Sequence, residues 1–125
     1  MPCNCGGTCE NNLVYACSGA ANTGLLADQV MRALNRDGVV ADSTCLAAIG
    51  ADLSGFLESA RNATRNIVID GCKVSCGKRI FEKNAISFQH FIMTDFDVEK
   101  GKTKITGDLI ESVADAIKQK LALKV

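Results

Sequence analysis

The sequence predicts an α/β domain built on one doubly wound, mainly parallel sheet with helices on both faces, in three layers. Three observations carry that prediction. Short apolar, β-branched runs, of which Ile67-Val68-Ile69 is the clearest, alternate with stretches whose apolar residues recur at i, i+3, i+4 and i+7. That alternation sets strands in parallel and lays the connecting helices over both faces of the sheet. The runs also end in small or turn-forming residues, such as Cys17-Ser18-Gly19 and Asp70-Gly71, which break the extended chain before a helix begins. The 125 residues suffice for one domain with a single core, and a hydrophobic content of 47% argues against disorder.

In chain order, residues 1–12 are polar, rich in Gly and Cys and without periodicity, and read as a Cys-rich arm; residues 13–125 read as the domain. Leu13-Val14-Tyr15-Ala16 is a short apolar strand. A small-residue loop, residues 17–24, leads to a helix with Leu26, Val30, Ala33 and Leu34 on one face. Asn22 or Thr23 suits its N-cap, and Gly38 its C-terminal stop. Val39-Val40-Ala41-Asp42 is a short second strand. Residues 45–50 read either as loop or as the first turns of a helix. Leu53, Phe56, Leu57 and Ala60 mark an amphipathic helix. The strand Ile67-Val68-Ile69 follows, then a helix after Cys76 carrying Ile80 and Phe81. Residues 86–96 alternate imperfectly and read as one or two strands, with Phe88, His90 and Ile92 on one side and Phe91 and Met93 on the other. Residues 99–104 form a charged, solvated loop. The last helix starts near residues 106–108 and buries Ile110, Val113, Ala114, Ile117 and Leu121. The order β-α-β-α-β-α-β-α is that of a Rossmann-like three-layer domain.

Charge and composition exclude several functions. Lys+Arg and Asp+Glu number 14 each, so no global basic field draws in nucleic acid or an anionic membrane. At 5% aromatic residues the chain offers no stacking platform for single-stranded nucleic acid. No apolar run approaches the ~18 residues of a membrane span, and the first residues lack the basic and apolar regions of a signal peptide. Seven cysteines, an odd number without a signal sequence, favour reduced thiols and a cytoplasmic setting with metal or redox chemistry.

Four of those cysteines fall at strand-to-helix junctions: Cys17 after the first strand, Cys45 before the helix that follows the second, and Cys72 and Cys76, spaced C-x3-C, after the third. With parallel strands they gather at the carboxyl edge of the sheet, where such folds bind ligands. Four converging thiols suit tetrahedral zinc. Helix N-termini there, with Lys73, Lys78 and Arg79, would favour thiolates. The pair Cys72/Cys76 also suits a dithiol–disulfide cycle, and Cys17 a nucleophile, so a thiol enzyme is the alternative function. Against both stands the ordinary tendency of cysteine to be buried. Cys3, Cys5 and Cys9, spaced C-x-C-x3-C, read as a second metal site, an extension of the first, a redox arm, or free thiols on a terminus. Ser18, Gly19, Thr23 and Gly24 make a loop that either admits an anion to backbone N–H groups or permits close helix–sheet packing. His90, the one histidine, and Asp70 and Asp95 read as site-lining residues or as structural ones; for Asp70 the structural role is a turn cap.

Cys17-Ser-Gly19 with Gly24, Cys45-Leu-Ala-Ala-Ile-Gly-Ala51, Ile69-Asp-Gly-Cys-Lys-Val-Ser-Cys76, and His90 to Asp95 with Lys100 beyond occur in an order that resembles the DGC-domain family. The resemblance covers roughly residues 13–104, and Cys3 to Gly6 is similar to the start of some members. It implies a four-cysteine site of Cys17, Cys45, Cys72 and Cys76 that holds zinc, and it leaves the reaction open. The chain departs from the family at Lys73, where proline is common, and at Ala48 and Asp97, where glycine is common. None of these removes a cysteine.

Overall fold

The structure, a computed structural model, describes residues 11–122. Cys3, Cys5 and Cys9 and most of the expected arm lie outside the described residues. Four strands form one sheet: β1 (Asn12–Ala16), β2 (Asp42–Ser43), β3 (Arg65–Asp70) and β4 (Gln89–Ile92). Their order is β2-β1-β3-β4 and every neighbouring pair is parallel. The helices are α1 (Asn22–Arg36), α2 (Leu46–Gly50), α3 (Ser54–Asn62), α4 (Cys76–Lys83) and α5 (Gly107–Ala122).

Side chains alternate across the sheet with the period of two that a strand imposes. Val14, Ala16, Ile67, Ile69 and Phe91 point into a core shared with Leu26, Val30 and Leu34 of α1 and Val113 and Ile117 of α5. Leu13, Tyr15 and Val68 point the other way, onto Leu46 and Ile49 of α2, Ala60 of α3 and Phe81 of α4. These are the two outer layers predicted from sequence. A strand buried on both faces reads as a continuous apolar run, which is why Ile67-Val68-Ile69 lacks polar alternation. The second core holds one polar thread: the Tyr15 hydroxyl donates to Asn66 Oδ1 at 2.7 Å, and the Asn66 amide donates to the Ala60 carbonyl at 2.8 Å. Burial holds the Tyr15 phenol far above its usual range.

The connections set the position of the site. From β1 the chain moves outward through α1 to β2; from β3 it moves outward the opposite way through α4 to β4. The reversal lies between β1 and β3, and the crevice it opens is at their carboxyl ends.

Several local expectations change. The second strand is two residues long and begins at Asp42, pairing with Leu13 and Val14 of β1. Val40 is buried in the first core without joining the ladder. Residues 45–50 resolve into the short helix α2. The stretch after β4 tightens into a 3-10 turn, Met93–Phe96, rather than a further strand. Leu53 and Phe56 are 50% and 39% exposed, and only Ala60 of α3 is fully buried. The apolar spacing of α3 forms a helix there, but no layer packs across most of its face. The N-cap of α1 is Ala21, with no side-chain cap hydrogen bond, because Asn22 is engaged elsewhere. Gly38 fulfils its role: at φ +74° its N–H donates to the Asn35 carbonyl, ending α1.

Candidate thiol site at the carboxyl edge of the sheet

Each cysteine takes its place from the strand or helix next to it. Cys17 follows β1 directly, and its N–H extends the pairing to the Ile69 carbonyl at 3.1 Å. Its Sγ accepts the Gly71 N–H at 3.3 Å, which ties the end of β1 to the loop after β3. Cys45 immediately precedes α2, and Cys76 is the first residue of α4; both are exposed. Cys17, Cys45 and Cys76 border one cleft of about 500 Å³, with Ser18 and Asp28 on its rim. Cys72, two residues beyond β3, is half-buried, and its Sγ lies 3.4 Å from Lys100 Nζ. All four are free thiols.

In donor chemistry this set fits a thiophilic ion: four sulfurs come from three separate junctions at one edge of the sheet, and three of them border one cleft. In placement, no three His, Cys, Asp or Glu side chains among the described residues are close enough to hold one ion. A closed shell therefore requires the cysteine-bearing loops to draw together.

Asp70 ends β3 and is 1% exposed. Its Oδ1 accepts the Gly77 N–H at 2.8 Å, and its Oδ2 accepts the Lys78 N–H at 3.1 Å. His90 Nε2 lies 2.7 Å from the same Oδ2; because a carboxylate only accepts, His90 donates here. Burial pushes the Asp70 carboxyl up, but the His90 hydrogen bond and the two amides together outweigh it and hold it below the usual carboxylate range. Asp70 thus caps the start of α4 from the sheet side, where the sequence suggested a turn cap, and His90 orients it. The first free amides of α4 go to Asp70 and not to a thiolate.

The backbone is unusual on both sides of this crevice. Ser18, just after Cys17, and Ser75, just before Cys76, adopt left-handed conformations, with φ of 51° and 57°. Serine pays a steric cost there that glycine does not, and such strain collects at functional sites. Asp97, at φ 60°, is likewise left-handed, which gives the family's glycine preference at that position a physical reason. The small residues of the 17–24 loop have a packing role: a Cβ on Gly24 would lie 2.4 Å from the Gly19 carbonyl oxygen.

Lys100 reaches Cys72 because its loop is pinned to the start of α1. The Asn22 amide donates to the Glu99 carbonyl at 3.1 Å and the Thr103 carbonyl at 2.8 Å, while its oxygen accepts the Gly101 N–H at 2.7 Å. Sequence reading placed Lys73, Lys78 and Arg79 in the thiol field. The structure brings Lys100 to Cys72; Lys78 pairs with Glu82 at 3.8 Å, and Arg79 donates to the Val74 carbonyl at 2.7 Å. The pattern that could have found Lys100 is an asparagine at a helix start facing a Gly-containing loop far along the chain, and a single sequence does not reveal that pairing. Asp95 is exposed on the 3-10 turn after β4.

A parallel sheet in the order 2-1-3-4 with thiols at its reversal point defines a doubly wound α/β protein with a cysteine-lined switch point. The chain belongs to the DGC domain family, whose model matches residues 13–117. It is also similar to the anaerobic and virulence modulator AnvM of Pseudomonas aeruginosa, at 29% identity over 89 residues, which are 70% of this chain and 67% of that protein. No solved structure matches the chain at a significant level. Among the described residues no helix is long and apolar enough to cross a membrane.

Proposed function

We propose that this protein binds zinc through Cys17, Cys45, Cys72 and Cys76 at the carboxyl edge of the sheet. The observation that carries the reading is the convergence on one edge of four free thiols from three junctions, three of them bordering a single cleft. Thiolate is a preferred zinc ligand, and a shell of four leaves no open position for a catalytic water, so the ion would be structural or carried. Reduced thiols of this kind fit a cytoplasmic setting. Binding would draw the Cys72 loop toward the cleft and couple metal to stability. The test is elemental analysis with thiol counting on anaerobically prepared protein. About one zinc per chain is expected, or about two if Cys3, Cys5 and Cys9 bind separately. Metal-free protein with all thiols titratable and an unchanged fold would sink the reading.

A second reading is favoured by the approach of Lys100 to Cys72. The ammonium group can donate to that sulfur and offers a positive charge to an anionic group arriving there. Cys72 would then act as a nucleophile or cycle with Cys76, and the loop of Ser18, Gly19, Thr23 and Gly24 would receive an anionic group of the substrate. Iodoacetamide should modify Cys72 faster than the exposed Cys45 in metal-free protein, and K100M should remove the difference. Equal rates in the parent protein count against it.

A further inference from the structure

The edge of the sheet opposite the cysteines carries a second cleft, of about 520 Å³, between the end of α3, the start of β3 and the turn that leads into β4. Two arginines span it. Arg61 Nη2 donates to the Asn84 carbonyl at 3.3 Å, and Arg65 Nη2 donates to Gln89 Oε1 at 2.8 Å. Both acceptors are neutral, and among the described residues neither guanidinium has a carboxylate within 4.0 Å. Arg32 and Arg36, by contrast, lie 2.8 and 2.9 Å from Asp28 and Asp37.

From this we propose that the cleft binds a small phosphorylated molecule, with its phosphate held between Arg61 and Arg65. A guanidinium has five N–H donors in a planar fork, so one neutral acceptor leaves most of each fork open. Two such positively charged forks on one cleft give an anion donors from both, and phosphate matches their geometry. The floor is already set. The Asn66 amide is fixed by the Ala60 and Ser87 carbonyls, and its oxygen by Tyr15, so a ligand need not reorganise it. Phe88 lines the same cleft and gives an apolar wall for the organic part of the ligand. The volume exceeds what a free phosphate ion fills. The site shares no residue with the thiol edge, so neither proposal depends on the other.

The test is titration of the full chain with sodium phosphate and with phenyl phosphate, against sodium chloride at matched ionic strength, followed by amide NMR. Saturable shifts confined to residues 61–66 and 84–89 are expected. Phenyl phosphate should bind about tenfold more tightly than phosphate, because it also buries a ring against Phe88. R61Q and R65Q should each weaken both ligands about tenfold or more, and R65K should fall between R65Q and the parent, since an ammonium keeps the charge but not the fork. Matching spectra away from the cleft establish that the variants fold. Shifts that scatter over the surface without saturating, affinities unchanged in R61Q and R65Q, or phenyl phosphate binding no more tightly than phosphate would each overturn the proposal.

Discussion

Asp70 is the residue on which the thiol edge turns. A carboxylate removed from water costs several kcal/mol unless its lone pairs are met, and here two amides and an imidazole meet them. In D70N the new NH2 group faces donors, and one N–H of α4 loses its acceptor. That change should destabilise the fold by about 3 kcal/mol in urea unfolding at pH 7. The pH dependence has a definite sign. The folded carboxyl lies below its unfolded value, so its contribution is complete above the unfolded value of about 4 and is lost as pH falls toward the folded one. Stability measured from pH 7 down to pH 3 should therefore fall more steeply in the parent protein than in D70N; parallel curves would refute this account. The sequence showed Asp70 at the end of a strand and named a cap as its structural role. The imidazole that orients it comes from 20 positions further on, a pairing that only strand order creates.

At the level of elements, what could be read from sequence was what is local along the chain. Strand-to-helix junctions are local, so Cys17, Cys45, Cys72 and Cys76 were placed at them correctly. Helix periodicity is local too, but it names a face without saying what lies opposite, and α3 shows the limit by leaving Leu53 and Phe56 exposed. The link between the 99–103 loop and α1 joins residues 77 or more positions apart, and nothing in periodicity carries it. That link makes a prediction. Replacing Asn22 with Ala removes three hydrogen bonds that hold the loop, each worth about 1 kcal/mol. The rest of the fold should persist, because Leu26, Val30 and Leu34 still anchor α1. In N22A, trypsin should cut at Lys100, Lys102 or Lys104 several-fold faster while global unfolding changes little. Cleavage at the parent rate would show that Asn22 does not hold the loop.

At the scale of the whole molecule, β1 carries the chain from one edge of the sheet to the other. The chain enters the described residues at Asn11, whose N–H donates to Thr64 Oγ1 at 3.2 Å and whose carbonyl accepts the Thr64 N–H at 2.9 Å. Thr64 immediately precedes β3, so Asn11 is fixed at the amino edge of the sheet. Cys17 lies at the carboxyl edge, beyond the full length of β1, roughly 20 Å away at about 3.3 Å per residue. Two sulfurs on one zinc ion must lie within about 4 Å of each other. Zinc binding at the edge therefore requires Cys17, Cys45, Cys72 and Cys76 to close on one point, and among the described residues no three such donors yet do so. If the edge holds zinc, added zinc should protect Cys17 and Cys76 from alkylation in the parent protein, and C45S should abolish that protection. Protection that survives in C45S would mean that the edge thiols do not act as one four-ligand site.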